Sequence, residues 1–205
     1  DLNADNTFDF TVLVSDGTLS TQSDYTFSVT NVNEAPTIST TSIADKAEGT
    51  SALGSISASD PDSGSSLSFS LVNSEGLKDE ELLSIDSSSG SIAFLAAPNF
   101  ESPSDIGSDN TIDFSVQVSD GSLSVTQSYS FSITNTNEAP VIPSASFSIA
   151  EQSTSVGSIS ATDPDASSTL TYTLASGSSA VDDAKFSINS TTGAVSFLST
   201  PNFES

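Results

Sequence analysis

A subset of the acidic side chains stands at short motifs in turn-like sequence. Within residues 37–140 these are Glu48, Asp60 and Asp62 of "SASDPD", Glu101 of "NFE" beside Asn99, Asp120 of "SDGS", and Glu138 of "NTNEAP" beside Asn135 and Asn137. In all, 27 acidic residues face three lysines (Lys46, Lys78 and Lys185), and the formal net charge is −24. Histidine and cysteine are absent. A thiol nucleophile, a Ser-His-Asp triad and a zinc site of the usual nitrogen and sulfur type are therefore excluded. What remains is oxygen from carboxylates, amides, hydroxyls and main-chain carbonyls, which is the ligand set of a hard cation, chiefly calcium.

Charge excludes further classes. So negative a chain is repelled by nucleic acid and by anionic membrane surfaces. No run of 18 or more apolar residues and no basic start followed by an apolar core occurs, so neither a membrane span nor a signal peptide is expected, and the stretch reads as an interior segment. With 35% hydrophobic and 15% charged residues, its 205 residues can bury ordinary cores in one or two domains. Disulfides are unavailable, so in an extracellular setting something else must supply rigidity.

The elements that would carry these acids repeat along the chain. "DNTFDFTVLVSDGTLSTQSDYTFSVTNVNEAP", Asp5 to Pro36, aligns without a gap to "DNTIDFSVQVSDGSLSVTQSYSFSITNTNEAP", Asp109 to Pro140, one period of 104 residues later. "EGTSALGSISASDPDSGSSL" from Glu48 and "LSIDSSSGSIAFLAAPNFES" from Leu83 recur from Glu151 and Phe186 at a spacing of 103 residues. The period is that of one modest domain. Residues 1–36 read as the C-terminal hairpin of one repeat, 37–140 as a complete repeat, and 141–205 as the N-terminal part of the next.

Inside a repeat the hydrophobic period is two. Ile112, Phe114, Val116 and Val118 alternate with polar residues, as do Tyr129, Phe131 and Ile133, and as do Phe8, Phe10, Val12 and Val14. "SDGS" between two such runs marks a hairpin turn. Further strands are expected over Leu53–Ala58, Leu67–Val72, Leu83–Asp86 and Ser91–Leu95, while Glu75–Leu83 is the best helical candidate. About seven short strands per repeat, with turns between them, predict an all-β fold of tandem Greek-key sandwiches. The aromatic residues fall on the apolar phase of these strands and are expected in the core.

Five short motifs in fixed order, each occurring twice, resemble the cadherin repeat along the whole chain. They are the early glutamate (Glu48, Glu151), "SASDPD" and "SATDPD", "IDSSSGSI" and "INSTTGAV", "NFE", and the linkers "NVNEAP" and "NTNEAP". The resemblance implies an immunoglobulin-like sandwich with calcium at each inter-repeat junction. At the later junction it implicates Glu48, Asn99, Glu101, Asn135, Asn137, Glu138, Asp163 and Asp165; at the earlier one, Asn31, Asn33, Glu34, Asp60, Asp62 and Asp120. Asn99 and Asn202 stand where the family usually has Asp, Asn31 and Asn135 open linkers where Asp is common, and Glu34 and Glu138 replace the usual linker Asp. Each change removes charge or lengthens a ligand arm.

Electrostatics points the same way. Glu48, Glu101, Glu138, Asp163 and Asp165 would repel one another at a shared junction, increasingly so as water is excluded, whereas a divalent ion with six to eight oxygen positions would reverse the sign. Other calcium motifs fail: the twelfth position of an EF-hand loop starting at Asp60 is Leu71, where a bidentate Glu is required.

The expected function is structural. The pattern resembles the extender regions of bacterial surface adhesins, secreted tandem-repeat proteins in which calcium would stiffen each junction. A carbohydrate-binding or homophilic adhesion module of the same fold is the alternative, and would need an exposed aromatic pair or a groove. A glycosidase is the weakest reading, because it requires paired carboxylates in a cleft. Partners are expected to be neighbouring repeats of the same protein. Head-to-tail pairing of 1–36 with 141–205 between molecules is one expectation and disordered open edges the alternative; in that pairing Asp16 would complete the later junction, and Glu151, Asn202 and Glu204 the earlier one.

Overall fold

The computed structural model describes residues 5–73, 79–165, 168–175 and 182–204. Alternating sequence folds as strands in both long hairpins, whereas the alternating stretch 168–175 forms none. The first hairpin pairs β1 (Thr7–Ser15) with β2 (Ser20–Ser28), setting Phe8 opposite Phe27 and Phe10 opposite Tyr25. Both ring pairs stack, with centroids 5.1 and 5.4 Å apart, as aromatic cross-strand neighbours do.

Nine strands follow between residues 37 and 134. They are β3 (Thr37–Ile38), β4 (Lys46–Ala47), β5 (Ala52–Ser55), β6 (Ala58–Ser59), β7 (Ser68–Leu71), β8 (Leu83–Ile85), β9 (Ser91–Phe94), β10 (Thr111–Ser119) and β11 (Ser124–Thr134). They hydrogen-bond in the orders β4-β11-β10-β7, β5-β9-β8 and β3-β6. Residues 155–197 supply β12 (Ser155–Ser158), β13 (Phe186–Ile188) and β14 (Ala194–Phe197), in the order β12-β14-β13.

The run expected as one strand over Leu53–Ala58 is divided into β5 and β6. Its register against β9 shifts between Ala52 and Gly54, and Gly54 sits at φ +120°, a bulge that a residue with a side chain would resist. The same shift recurs between Ser155 and Gly157. Of the helical candidate, Glu80–Leu82 forms one 3₁₀ turn, and Glu75–Lys78 lie outside the described residues. Among the described residues no helix is long and apolar enough to cross a membrane.

By contacts the chain divides into two compact units: Asp1–Ile43, Ala52–Ala93 and Asp113–Ser130 form one, and Ala44–Ser51, Phe94–Ile112 and Phe131–Ser205 the other. In the first, Leu53, Leu83 and Ile92 of β5, β8 and β9 are buried, as are Phe69 of β7, Phe114, Val116 and Val118 of β10, and Tyr129 of β11. These residues come from two sheets and form the apolar interior of a sandwich, each buried side chain contributing about 1.5–3 kcal/mol. Ser115, buried among them, bonds its hydroxyl to that of Ser128 at 2.9 Å.

The second unit holds a further apolar cluster. Phe94 packs edge-on against Phe131 at 6.1 Å, beside buried Ile112 and Ile133. Buried Asp105 accepts from the main-chain N–H of Asp109 at 2.9 Å and of Asn110 at 3.3 Å, and Asn110 takes φ +62°. From that left-handed position Asn110 donates its side-chain amide to the Phe100 carbonyl and accepts from the Ile133 N–H. The "NFE" segment is thereby tied to the strand that leads into the linker.

Candidate metal centre

In the second unit the ends of several segments bring three glutamates together. Glu48, Glu101 and Glu138 each offer a carboxylate oxygen, and the three atoms lie within 4.8 Å of one another. Glu48 follows β4, whose parallel pairing with β11 sets Ala47 against Thr134, just before the linker. Its two oxygens bridge two segments, one accepting from the Phe100 N–H at 2.9 Å and the other from the Thr136 N–H at 2.7 Å.

Glu101 accepts from the Asn135 amide at 2.6 Å through Oε1. Its Oε2 and the Oε2 of Glu138 are buried without a hydrogen-bond partner. Desolvation, followed by the charges of Glu48, Glu101, Asp165 and Asp163, pushes the Glu138 carboxyl above the usual carboxylate range. Glu138 also donates its main-chain N–H to Asp165 at 2.8 Å, and Asp163 accepts from the Asp165 N–H at 3.0 Å. Asn137 donates to the Glu138 carbonyl at 3.1 Å. Asn99 accepts from Ser102 N–H at 2.7 Å, holding its own turn.

The first unit holds the corresponding earlier linker. Asp62 accepts from the Asn31 amide, and from the Glu34 N–H at 2.9 Å, the same bond that Asp165 makes with Glu138. Asn33 donates to Asp120 at 2.7 Å, and Asp120 also accepts from the N–H groups of Ser122 and Leu123 in its own turn. The Asn31 amide foremost, then the Glu34 N–H, hold Asp62 below its ordinary range; for Asp120 the causes are Leu123, Ser122 and then Asn33. Asp60 accepts from the Asp62 N–H at 2.8 Å through Oδ1, and its Oδ2 is buried and unpartnered.

The remaining candidates stand apart. Asp16 accepts from Thr18 and Leu19 N–H, which caps its turn as Asp120 caps the equivalent one, and among the described residues its bonds stay within that turn. Glu151 accepts from Phe203 N–H at 3.5 Å, a longer form of the Glu48–Phe100 bond. Asn202 accepts from Glu204 N–H at 3.1 Å.

Sequence reasoning missed the main-chain donors of Phe100 and Thr136, which no side-chain pattern marks. It also missed buried Asp79 and Asp105, whose carboxylates serve the main chain of Asp113 and of Asp109–Asn110. Nothing in the sequence distinguishes these acids from solvated ones, because the signal is burial.

Comparison with known proteins places the fold. Residues 33–132 match a family described as the bacterial Ig domain. No curated protein matches the sequence. Human CDH23 EC21-23 is similar over 97% of this chain and 66% of its own, with 21% identity and a TM-score of 0.61. The protocadherin gammaB7 EC3-6 cis-dimer structure is similar over the full length, at 20% identity and a TM-score of 0.54, and human protocadherin-24 EC1-2 over 83% of this chain, at 18% and 0.54. The chain spans 53% of the gammaB7 chain and 81% of the protocadherin-24 chain. The fold is thus that of an Ig-like, cadherin-like repeat.

Proposed function

We propose that this chain, built of cadherin-like and Ig-like repeats, is a structural extender of a large extracellular adhesin, stiffened by calcium at its inter-repeat linkers. The repeats run 1–36, 37–140 and 141–205. The observation that carries the reading is the pair of buried, unpartnered oxygens on Glu101 and Glu138 beside the carboxylate of Glu48. Carboxylate oxygens taken from water without a donor are costly, and three acids in one place compound the cost. Each such group is suited to a cation.

The residues fit calcium in kind. Glu48, Glu101, Glu138, Asp163 and Asp165 supply anionic oxygen, and Asn99, Asn135 and Asn137 supply amide oxygen if their amides turn toward the ion. Asn31, Asn33, Glu34, Asp60, Asp62 and Asp120 are the set of the earlier linker. Bound calcium would supply charge neutralisation and a cross-link between segments. The chain's own residues hold the linker: Glu48 pins Thr136, and Asp165 pins Glu138. An extracellular setting suits this use, since modules there work at about 10⁻⁴–10⁻³ M calcium.

The test is a calcium titration of the melting temperature with small-angle scattering in parallel. Calcium at about 100 times its dissociation constant should stabilise the fold by about 2.7 kcal/mol. The particle should also be longer in calcium than in chelator. If neither quantity moves, the proposal fails.

A second reading has one observation in its favour. Phe10 and Tyr25 form an exposed, stacked pair of the sort a carbohydrate-binding surface uses. Their equivalents one period on, Phe114 and Tyr129, stack in the same way and lie in the core, which supports packing as the role of this face. Glycan-array binding that survives chelation would favour the alternative.

A further inference from the structure

Asn189 is the only asparagine of the chain with a hydroxyl residue two places on and a residue other than proline between, in Asn189-Ser190-Thr191. That triplet is the acceptor pattern for N-linked sugar, which takes an exposed loop of a secreted chain. The local structure supplies the loop. Asn189 lies in the turn between β13 and β14, and Asn189, Ser190, Thr191 and Thr192 are all exposed.

This exposure belongs to the fold of the repeat itself. One period back, residues 86–90 form the same turn between β8 and β9 of the complete middle repeat, and positions 86–89 are exposed there too. Each turn is closed by a glycine whose N–H reaches the carbonyl of its first residue: Gly90 to Asp86 at 2.9 Å, Gly193 to Asn189 at 3.0 Å. The two glycines sit at φ +68° and +67°. The first side chain folds inward in both. Asp86 accepts from the N–H groups of Ser88 at 3.0 Å and Ser89 at 2.8 Å, and Asn189 from those of Thr191 at 3.0 Å and Thr192 at 2.9 Å.

These two donors fix the direction of the Asn189 amide. Only the oxygen of a carboxamide accepts, so Oδ1 turns in to the main chain and the planar group leaves Nδ2 facing away from it. Among the described residues, neither Nδ2 nor the Thr191 hydroxyl has a hydrogen-bond partner. In the middle repeat the hydroxyls of Ser88 and Ser89 are taken up by Asp86. The later turn thus presents an amide nitrogen and a hydroxyl where its twin presents a carboxylate.

We propose that Asn189 is a site of N-linked glycosylation, with the turn 189–193 as the recognised element. The donor is a sugar activated as a diphosphate ester. The amide nitrogen bonds to its anomeric carbon, the bond from that carbon to the diphosphate oxygen breaks, diphosphate leaves with the electron pair, and one amide proton passes to a base of the transferring enzyme. The glycan would stand beside β13, an edge strand as β8 is in the complete repeat, where hydrated bulk hinders pairing with other chains. The proposal rests on the extracellular setting proposed above and makes no use of calcium.

Intact mass and peptide mapping of the full chain, isolated from cells that make and export it, test this. The wild type should carry a glycan on Asn189; a preassembled oligosaccharide marks a lipid-carried donor, and single added hexoses a nucleotide-carried one. Thr191→Ala, made in the same cells, should lose the whole added mass while keeping the asparagine. Asp86→Asn makes a second triplet with Ser87 and Ser88 in a turn of the same geometry, and should gain a further glycan of the same mass. Melting curves of the three chains establish that each is folded. An unmodified Asn189 in the wild type overturns the proposal. So does sugar found only on hydroxyls, sugar that survives Thr191→Ala, or an Asp86→Asn chain that gains none. None of these results bears on the calcium titration, so the two proposals fail separately.

Discussion

One oxygen of Glu101 and one of Glu138 lie within 4.8 Å, and each residue also keeps a buried carboxylate oxygen that no donor reaches. Two acids in that relationship oppose folding unless one is protonated or a cation stands between them. Their behaviour with and without calcium therefore separates a metal centre from a solvated acidic surface.

Replacing the acid whose carboxyl is pushed up should relieve the repulsion. Glu138→Gln is expected to raise the melting temperature in chelator and to reduce the further rise that calcium produces. Thermal melts of both proteins at several calcium concentrations check it; equal calcium responses would remove Glu138 from the site.

Glu48 should behave in the opposite way. Its carboxylate accepts from Phe100 and Thr136, so Glu48→Ala strands two main-chain donors. The expected loss is about 1–3 kcal/mol even in chelator, before any calcium is lost. Urea denaturation with and without calcium measures both parts.

Stability in chelator should depend on pH in two windows of opposite sign. Glu138 has a raised carboxyl in the folded chain, so as pH falls through that value toward the unfolded one the fold gains stability. Asp62 and Asp120 are held low by their donors, so their contribution is complete above the ordinary Asp value of about 4 and is lost as pH falls below it. Melting temperature should rise in mild acid and then drop. Glu138→Gln should abolish the rise, and Asp62→Asn with Asp120→Asn should flatten the drop.

Equivalent phenylalanines should differ in cost. Phe114→Ala opens a cavity in a closed core and is expected to lose about 3–5 kcal/mol. Phe10→Ala alters an exposed face and should change the stability of dilute chain by about 0.5 kcal/mol or less. Comparative denaturation checks the contrast; a large loss at Phe10 in dilute solution would mean its face is already covered.

Gly90 sits at φ +68°, and a Cβ there would meet the Ile56 carbonyl oxygen at 2.4 Å. Gly90→Ala should cost about 1–3 kcal/mol or more through backbone strain and displacement of that carbonyl. Far-ultraviolet melts are sufficient to see it.

The strands, their period-two faces and the repeat of 103–104 residues were legible in the sequence, because alternation and self-similarity are local properties. So was the oxygen-only chemistry, which follows from residue types alone. Tertiary structure decided which of the marked acids meet. It brought Glu48, Glu101 and Glu138 together, tied Asp165 to Glu138 and Asp62 to Glu34, and left Asp16 within its own turn. It also set Phe114, Val116 and Val118 of β10 in a core. A strand's alternation fixes which face is apolar, whereas burial depends on whether a second layer covers that face, and that is a property of the packed chain.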